Sequence, residues 1–333
     1  MPRSAVLPEK SMNFANLLSR MPSACAQGIL WGLMALGVYI TFRVLDVADL
    51  SVDGTFATGG AVTVMLIIAG APAWLALIIA ILAGLLAGFC TGMLHTRLGI
   101  PAILSGILTQ FALYSINLHI MGMKANQTAS LKKYGMFFEN GKGFLVSSRY
   151  IPAAIIVGLI LAAIVIFALY WFFGTELGAA VRATGSNAAM SRAQGINIDN
   201  MKVLGLALSN GIVALAGGLM TQFQGTADVN LGRGAIVIGL AAIVIGEVIC
   251  DMIFSKGCNF AIRMSFVVIG GIIYYAVMTI ILWLKMDPND LKLFTAIIVG
   301  IFLAVPYLKD EAKSSFARAG KQAAALAKEE TKC

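Results

Sequence analysis

Apolar residues run along this chain in long blocks, not at alternate or every-third positions. Blocks of about 20 residues cover approximately 26–43, 54–70, 74–94, 101–121, 151–173, 202–222, 234–250, 260–284 and 293–308. A hydrocarbon layer of about 30 Å asks for about 20 residues of helix, so each block predicts a membrane-crossing helix, nine in all. The alternation of a membrane β-barrel strand is missing. Gly and Ala recur inside the blocks, as in AGLLAGF, LAGGLM and VIGGII. Small residues let helices approach closely where no aqueous hydrophobic force drives them together. The predicted fold is all-α, a polytopic transmembrane protein of about eight to ten spans. It divides into an N-terminal segment 1–25, a transmembrane domain 26–308 and a Lys- and Ala-rich tail 309–333 that reads as a solvated helix.

Composition supports this reading. Only 12% of the 333 residues are charged and mean hydropathy is +0.88, whereas a soluble domain carries roughly 25% charged residues. The net charge of +8 does not point to nucleic acid, because Lys and Arg sit in the loops and tails and no basic patch has interleaved aromatics. The expected surroundings are a lipid membrane. The mixed first 24 residues give no cleavable signal, and the spans themselves supply targeting. Cys25, Cys90, Cys250, Cys258 and Cys333 show no CxxC spacing and read as free thiols serving as small packing residues. Cys333, being terminal, makes no prenylation box.

Enzyme chemistry finds little support. GMFFENGKG from Gly135 misses the phosphate-binding box by one residue, and Gly follows its Lys. His95 and His119 belong to separate spans and do not suggest a metal site. No GxSxG or HExxH is present. No cofactor is expected, and any ATP hydrolysis must come from another subunit.

One stretch does not fit its surroundings: RATGSNAAMSRAQGIN, Arg182–Asn197, is polar and small between two apolar blocks. Gly185 is expected to break a helix, Ser186 or Asn187 to cap the next, and Gly195 to end it after Gln194. Asn197 and Asp199 then restart a helix that becomes a span. The result is a short surface helix, too polar to insert and too short to be a domain, shaped to fit a partner's groove.

With its flanks, Gly174–Leu219, this stretch resembles the coupling segment of permease subunits of bacterial ABC importers, in the group of branched-chain amino acid, ribose and nucleoside permeases. The likeness rests on Gly178, Arg182, Ala183, Gly185, Asn187, Gly195, Ile196 and Asn197, then on Ser209, Gly211, Ala214, Ala216, Gly217 and Gly218. It departs at Ala188, where proline is common, and at Asn210, where glycine is usual. A second likeness covers LDVADLSVDGTFATGGAV, Leu45–Val62, and is nearest to tryptophan/tyrosine-type or uncharacterised permeases. The resemblance covers about 26–308. It implies a cytoplasmic coupling segment, 182–200, in which Arg182, Gly185, Ser186, Asn187, Ala188, Arg192, Gly195 and Asn197 meet the ATPase. The implied partners are ABC ATPase subunits, an extracytoplasmic substrate-binding protein and a second permease copy. The implied location is the bacterial inner membrane, and an amino acid-like solute is favoured.

Charge leaves orientation open: Lys plus Arg divide 13 against 11 between the two sides, or 7 against 11 without the tail. The resemblance places the N-terminus and the basic loop Met121–Tyr150 outside. In an importer, Lys132, Lys133 and Arg149 of that loop would steer the binding protein.

A solute path needs polar groups at membrane depth. Asp49, Ser51, Asp53 and Thr55 lie at a broken helix and read either as a polar turn or as a path or gate. Gln110 and Asn117 share a face, for interhelical hydrogen bonds or for solute. Glu247 is either buried or near a span end. ADLSVDGTFATGGA from Ala48 and ADVNLGRGAIVIG from Ala227 echo each other on opposite sides, as inverted repeats would. The expected function is the permease subunit of an ATP-driven importer. An ion-driven secondary transporter is the alternative, although it has no use for a partner-binding helix. A channel would want a filter motif, and none is present.

Overall fold

The computed structural model describes residues 14–129, 134–137, 143–254 and 258–283, and singly Leu293, Ala296, Ile297, Gly300 and Ala304. Contacts divide the chain into Met1–Asp287 and Pro288–Cys333. Of the second unit, the five single residues are helical; the remainder of the expected span 293–308 and the tail 309–333 lie outside the described residues.

The first unit holds α1 (Phe14–Tyr39) with a π turn at Ile40–Val44, α2 (Ser51–Ile68), α3 (Ala73–Thr96), α4 (Ala102–Ile120), β1 (Asn126–Thr128) and α5 (Ile151–Gly174). It continues with α6 (Glu176–Ser186), α7 (Ala188–Ala193), α8 (Ile198–Gln224), β2 (Thr226–Asp228), α9 (Ala235–Ile253) and α10 (Phe260–Trp283). Eight of these helices are long and apolar enough to cross a membrane, one for each of the first eight expected spans. The first begins earlier than its apolar block suggests, because Leu17 and Ala24 already face the core.

Burial separates a central layer from a rim. α8 is 78% buried over its most apolar stretch and α5 only 22%. Backbone contact explains the centre. On α2, a Cβ on Gly59 would overlap the carbonyl of Ala214, and on α8 a Cβ on Gly217 would overlap that of Phe56. The two helices therefore touch through small residues, as expected for packing in lipid.

Two connections interrupt this bundle within its thickness. The first, Leu45–Leu50, follows the π turn and carries Asp46 at φ 53°. Its Asp49 meets Asn210, a residue midway along α8. The second, Gly225–Gly234, descends from the antiparallel pair β1–β2 and delivers the start of α9 beside Asp53 of α2. Each of the two echoing sequences begins in one connection and runs into the helix that follows it, and they meet where a Cβ on Gly232 would overlap the Asp53 carbonyl.

The cysteine expectation needs correction: Cys250, at the end of α9, and Cys258, just before α10, form a disulfide. Their Cα atoms lie 6.7 Å apart, within bridging range. Cys25 and Cys90 are free; Cys333 lies outside the described residues.

Candidate functional sites: a polar cavity and a surface helix

The first connection closes on itself. Asp49 Oδ1 accepts from the Ser51 amide at 2.9 Å and its hydroxyl at 2.6 Å, and Oδ2 accepts from Asn210 Nδ2 at 2.8 Å. The same Nδ2 donates to the Leu206 carbonyl at 3.0 Å. Asp49 thus takes up the first amide of α2 from one residue before the cap position, Leu50, and the three polar side chains are buried and satisfied. Asn210, the departure from glycine in the resembled pattern, supplies the amide that holds the carboxylate. Thr55 is buried as well and donates to the Ser51 carbonyl at 3.0 Å.

The second connection stays open. Asp53 Oδ2 accepts from the Gly234 amide and Oδ1 from the Ile236 amide, each at 3.0 Å. A carboxylate at the positive end of a helix is favourable, so one carboxylate of α2 starts α9 in trans. Beside it lies a cavity of about 310 Å³ lined by Asp53, Gln110, Phe111, Tyr114, Asn117 and Arg233, among others. Asn117 is fully buried and its Oδ1 has no hydrogen-bond partner, while its Nδ2 reaches the Gly54 carbonyl at 3.5 Å. The Gln110 side chain and the Arg233 guanidinium make no hydrogen bond or ion pair among the described residues.

Of the seven residues read as path or gate, the structure brings Asp53, Gln110 and Asn117 to this cavity. Asp49, Ser51 and Thr55 belong to the closed connection. Glu247 lies apart, in an ion pair with Arg43 of the π turn. Arg233 is the member that the sequence did not announce, since a cation just before a span reads as an ordinary interfacial residue.

The odd stretch behaves as a surface element, with one correction. Gly185 does not break the helix: α6 runs through it to Ser186. Its lack of a side chain is needed for another reason. A Cβ there would overlap the Val44 carbonyl, so α6 rests directly on the end of the π turn. Asn187 caps α7 by accepting from Met190 N at 3.0 Å. Gly195, at φ 83°, ends it, and Asn197 caps α8 by accepting from Asn200 N at 3.1 Å. Within α7 only Ser191 is buried; Ala188 and Arg192 are exposed, and Met190 is 62% exposed. Arg182 shares a cleft with Tyr170 and Trp171, aromatic residues of the kind that mark a membrane–water boundary.

Eight apolar helices among the described residues, two of them starting inside the bundle at a polar cavity, define a polytopic membrane protein with a polar site in its interior. Residues 21–306 match the model of the branched-chain amino acid transport system permease component, and the chain belongs to that permease family. It is 36% identical over 301 residues to a tyrosine transport system permease protein of Clostridioides difficile, covering 90% of this chain and 96% of the relative. A D-allose transport system permease protein of Escherichia coli is 30% identical, covering 72% and 69%. A ribose import permease protein of Haemophilus influenzae is 27% identical, covering 63% and 64%. The chain is accordingly a multi-pass protein of the bacterial inner membrane, from a family of importer permeases for sugars and amino acids.

Proposed function

We propose that this chain is the permease subunit of an ATP-driven importer for an amino acid-like solute. Two copies enclose the path, an ATPase subunit grips α6 and α7 of each, and a binding protein delivers solute at the opposite end. One observation carries the reading: exposed α7 continues from α6, and Gly185 of α6 lies against Val44–Leu45, the start of the first connection. Leu45 is also held from the other side, where a Cβ on Gly205 of α8 would overlap its side chain. Movement of a surface helix therefore reaches the connection that leads, within nine residues, to Asp53 and the cavity. Rigid-body displacement of packed elements is the ordinary way such a site is opened or shut.

The solute class draws on the tyrosine permease relative, which is matched over nearly its whole length. The second copy is supported by the cavity itself, because polar groups open to lipid at depth are costly and a facing protomer would cover them. At the far end, Arg149 adjoins a second polar cleft with Gln222 and Ser148, suited to docking; Lys132 and Lys133 lie outside the described residues.

The test is purification of the chain with its candidate ATPase, followed by uptake in proteoliposomes. The reading requires co-purification and nucleotide-dependent uptake. Uptake by the chain alone, driven by an ion gradient, would overturn it in favour of secondary transport.

A further inference from the structure

The cavity is lined by two opposite charges, Asp53 and Arg233, that do not pair with each other. Asp53 spends both carboxylate oxygens on the first amides of α9, so its charge is directed at the helix start. Arg233, on the cavity wall, has no side-chain hydrogen bond or ion pair among the described residues. Arg233 is exposed, in the turn that leads into α9, and its guanidinium is free to meet an anion. A guanidinium presents a planar fork that fits a carboxylate bidentately. Opposite in character is Asn117 Oδ1, a buried acceptor with no donor. Leaving such a group unmet is unfavourable, and an ammonium group would meet it. Phe111 and Tyr114 line the same cavity and supply aromatic surface. At about 310 Å³ the space is at the small end of ligand pockets.

We infer that this cavity is a solute-binding station in the permease itself, selective for a zwitterionic amino acid with an aromatic or apolar side chain. Arg233 holds the carboxylate, Asn117 Oδ1 accepts from the ammonium group, and Phe111 and Tyr114 pack on the side chain. A neutral sugar leaves Arg233 unmatched. The inference rests on the importer reading and adds selectivity to a subunit that would otherwise be a passive conduit.

The test uses the permease–ATPase complex in nanodiscs without binding protein, with saturation-transfer NMR reading weak binding of L-tyrosine, tyramine and ribose. The expected result is saturation of the tyrosine ring protons, with tyramine bound about tenfold more weakly, as loss of a charge-assisted pair predicts, and ribose not detected. Arg233→Gln should reduce tyrosine to the tyramine level, and Arg233→Lys should restore part of the difference. Equal binding of tyrosine and tyramine would overturn the assignment, as would insensitivity to Arg233→Gln. Repeating the titration in phosphatidylcholine with and without phosphatidylglycerol identifies a lipid phosphate as the partner: tyrosine binding abolished by the anionic lipid would also overturn it. Failure of the importer reading shows differently, as no ATPase association and no nucleotide-dependent uptake.

Discussion

The two connections that interrupt the bundle are built alike and end differently. Leu45–Leu50 and Gly225–Gly234 each deliver a helix start into the interior, and each start rests on an aspartate. At the first, Asp49, Ser51 and Asn210 consume one another's hydrogen-bonding capacity. At the second, Asp53 is consumed by α9, but among the described residues the Gln110 and Arg233 side chains and the buried Asn117 Oδ1 have no partner, and all three residues line a cavity. Irregular backbone at membrane depth is tolerated only where protein or a cavity satisfies it. The closed connection is therefore a structural joint, and the open one is where a solute can be met.

The largest expected effect comes from breaking the joint. Asn210→Leu leaves the buried Asp49 carboxylate without its amide, and an unmet hydrogen bond to a charged group costs about 1.5–3 kcal/mol. The thermal unfolding midpoint of the purified protein should fall clearly, whereas Gln110→Ala should leave it nearly unchanged while lowering uptake. Equal melting of the two variants would erase the distinction between joint and cavity.

Next is Gly185→Leu. The side chain would strike the Val44 carbonyl, and overpacking of this kind costs about 1–3 kcal/mol. Because the contact lies between α6 and the first connection, loss of coupled uptake should exceed loss of ATPase binding, measured by pull-down. The reverse pattern would place the defect in docking. Met190→Asp, on the exposed side of α7, should do what Gly185→Leu does not: release the ATPase in the pull-down with no change in the melting midpoint. Retained ATPase would remove α7 from the docking surface.

The smallest effect is expected at Arg43 and Glu247. Their ion pair joins the π turn to α9, but the Arg43 side chain is 47% exposed, and exposed pairs contribute about 0–1 kcal/mol. Glu247→Gln should shift the melting midpoint little and leave uptake near the unaltered level. A severe transport defect would return Glu247 to the path.

Much of this was legible in the sequence, and the reasons are specific. Apolar blocks announce spans because lipid allows no other cover for the backbone, so the eight described spans follow directly. Gln110 and Asn117 stand out because amides are rare in such blocks. Asn187, Gly195 and Asn197 signal helix ends by local chemistry, and the structure uses each that way. What was hidden depends on contacts distant in the chain. Gly185 reads as a breaker until Val44 is seen against it. Asp49 and Asp53 look equivalent in sequence, and only Asn210 and the start of α9 tell them apart. Arg233 resembles any cation at a span end until its lack of a partner among the described residues is visible, and Cys250 and Cys258 pair because the end of α9 lies beside the residues that precede α10.

The measurement that tests the central contrast most directly is thiol accessibility at the two connections. In a background without native cysteines, Ser51→Cys and Gln110→Cys would be exposed to a small water-soluble thiol reagent, with and without nucleotide, in membranes containing the ATPase. The account predicts that position 110 reacts, at a rate that changes with nucleotide, and that position 51 stays protected throughout. Equal reactivity at both, or indifference of position 110 to nucleotide, would contradict it.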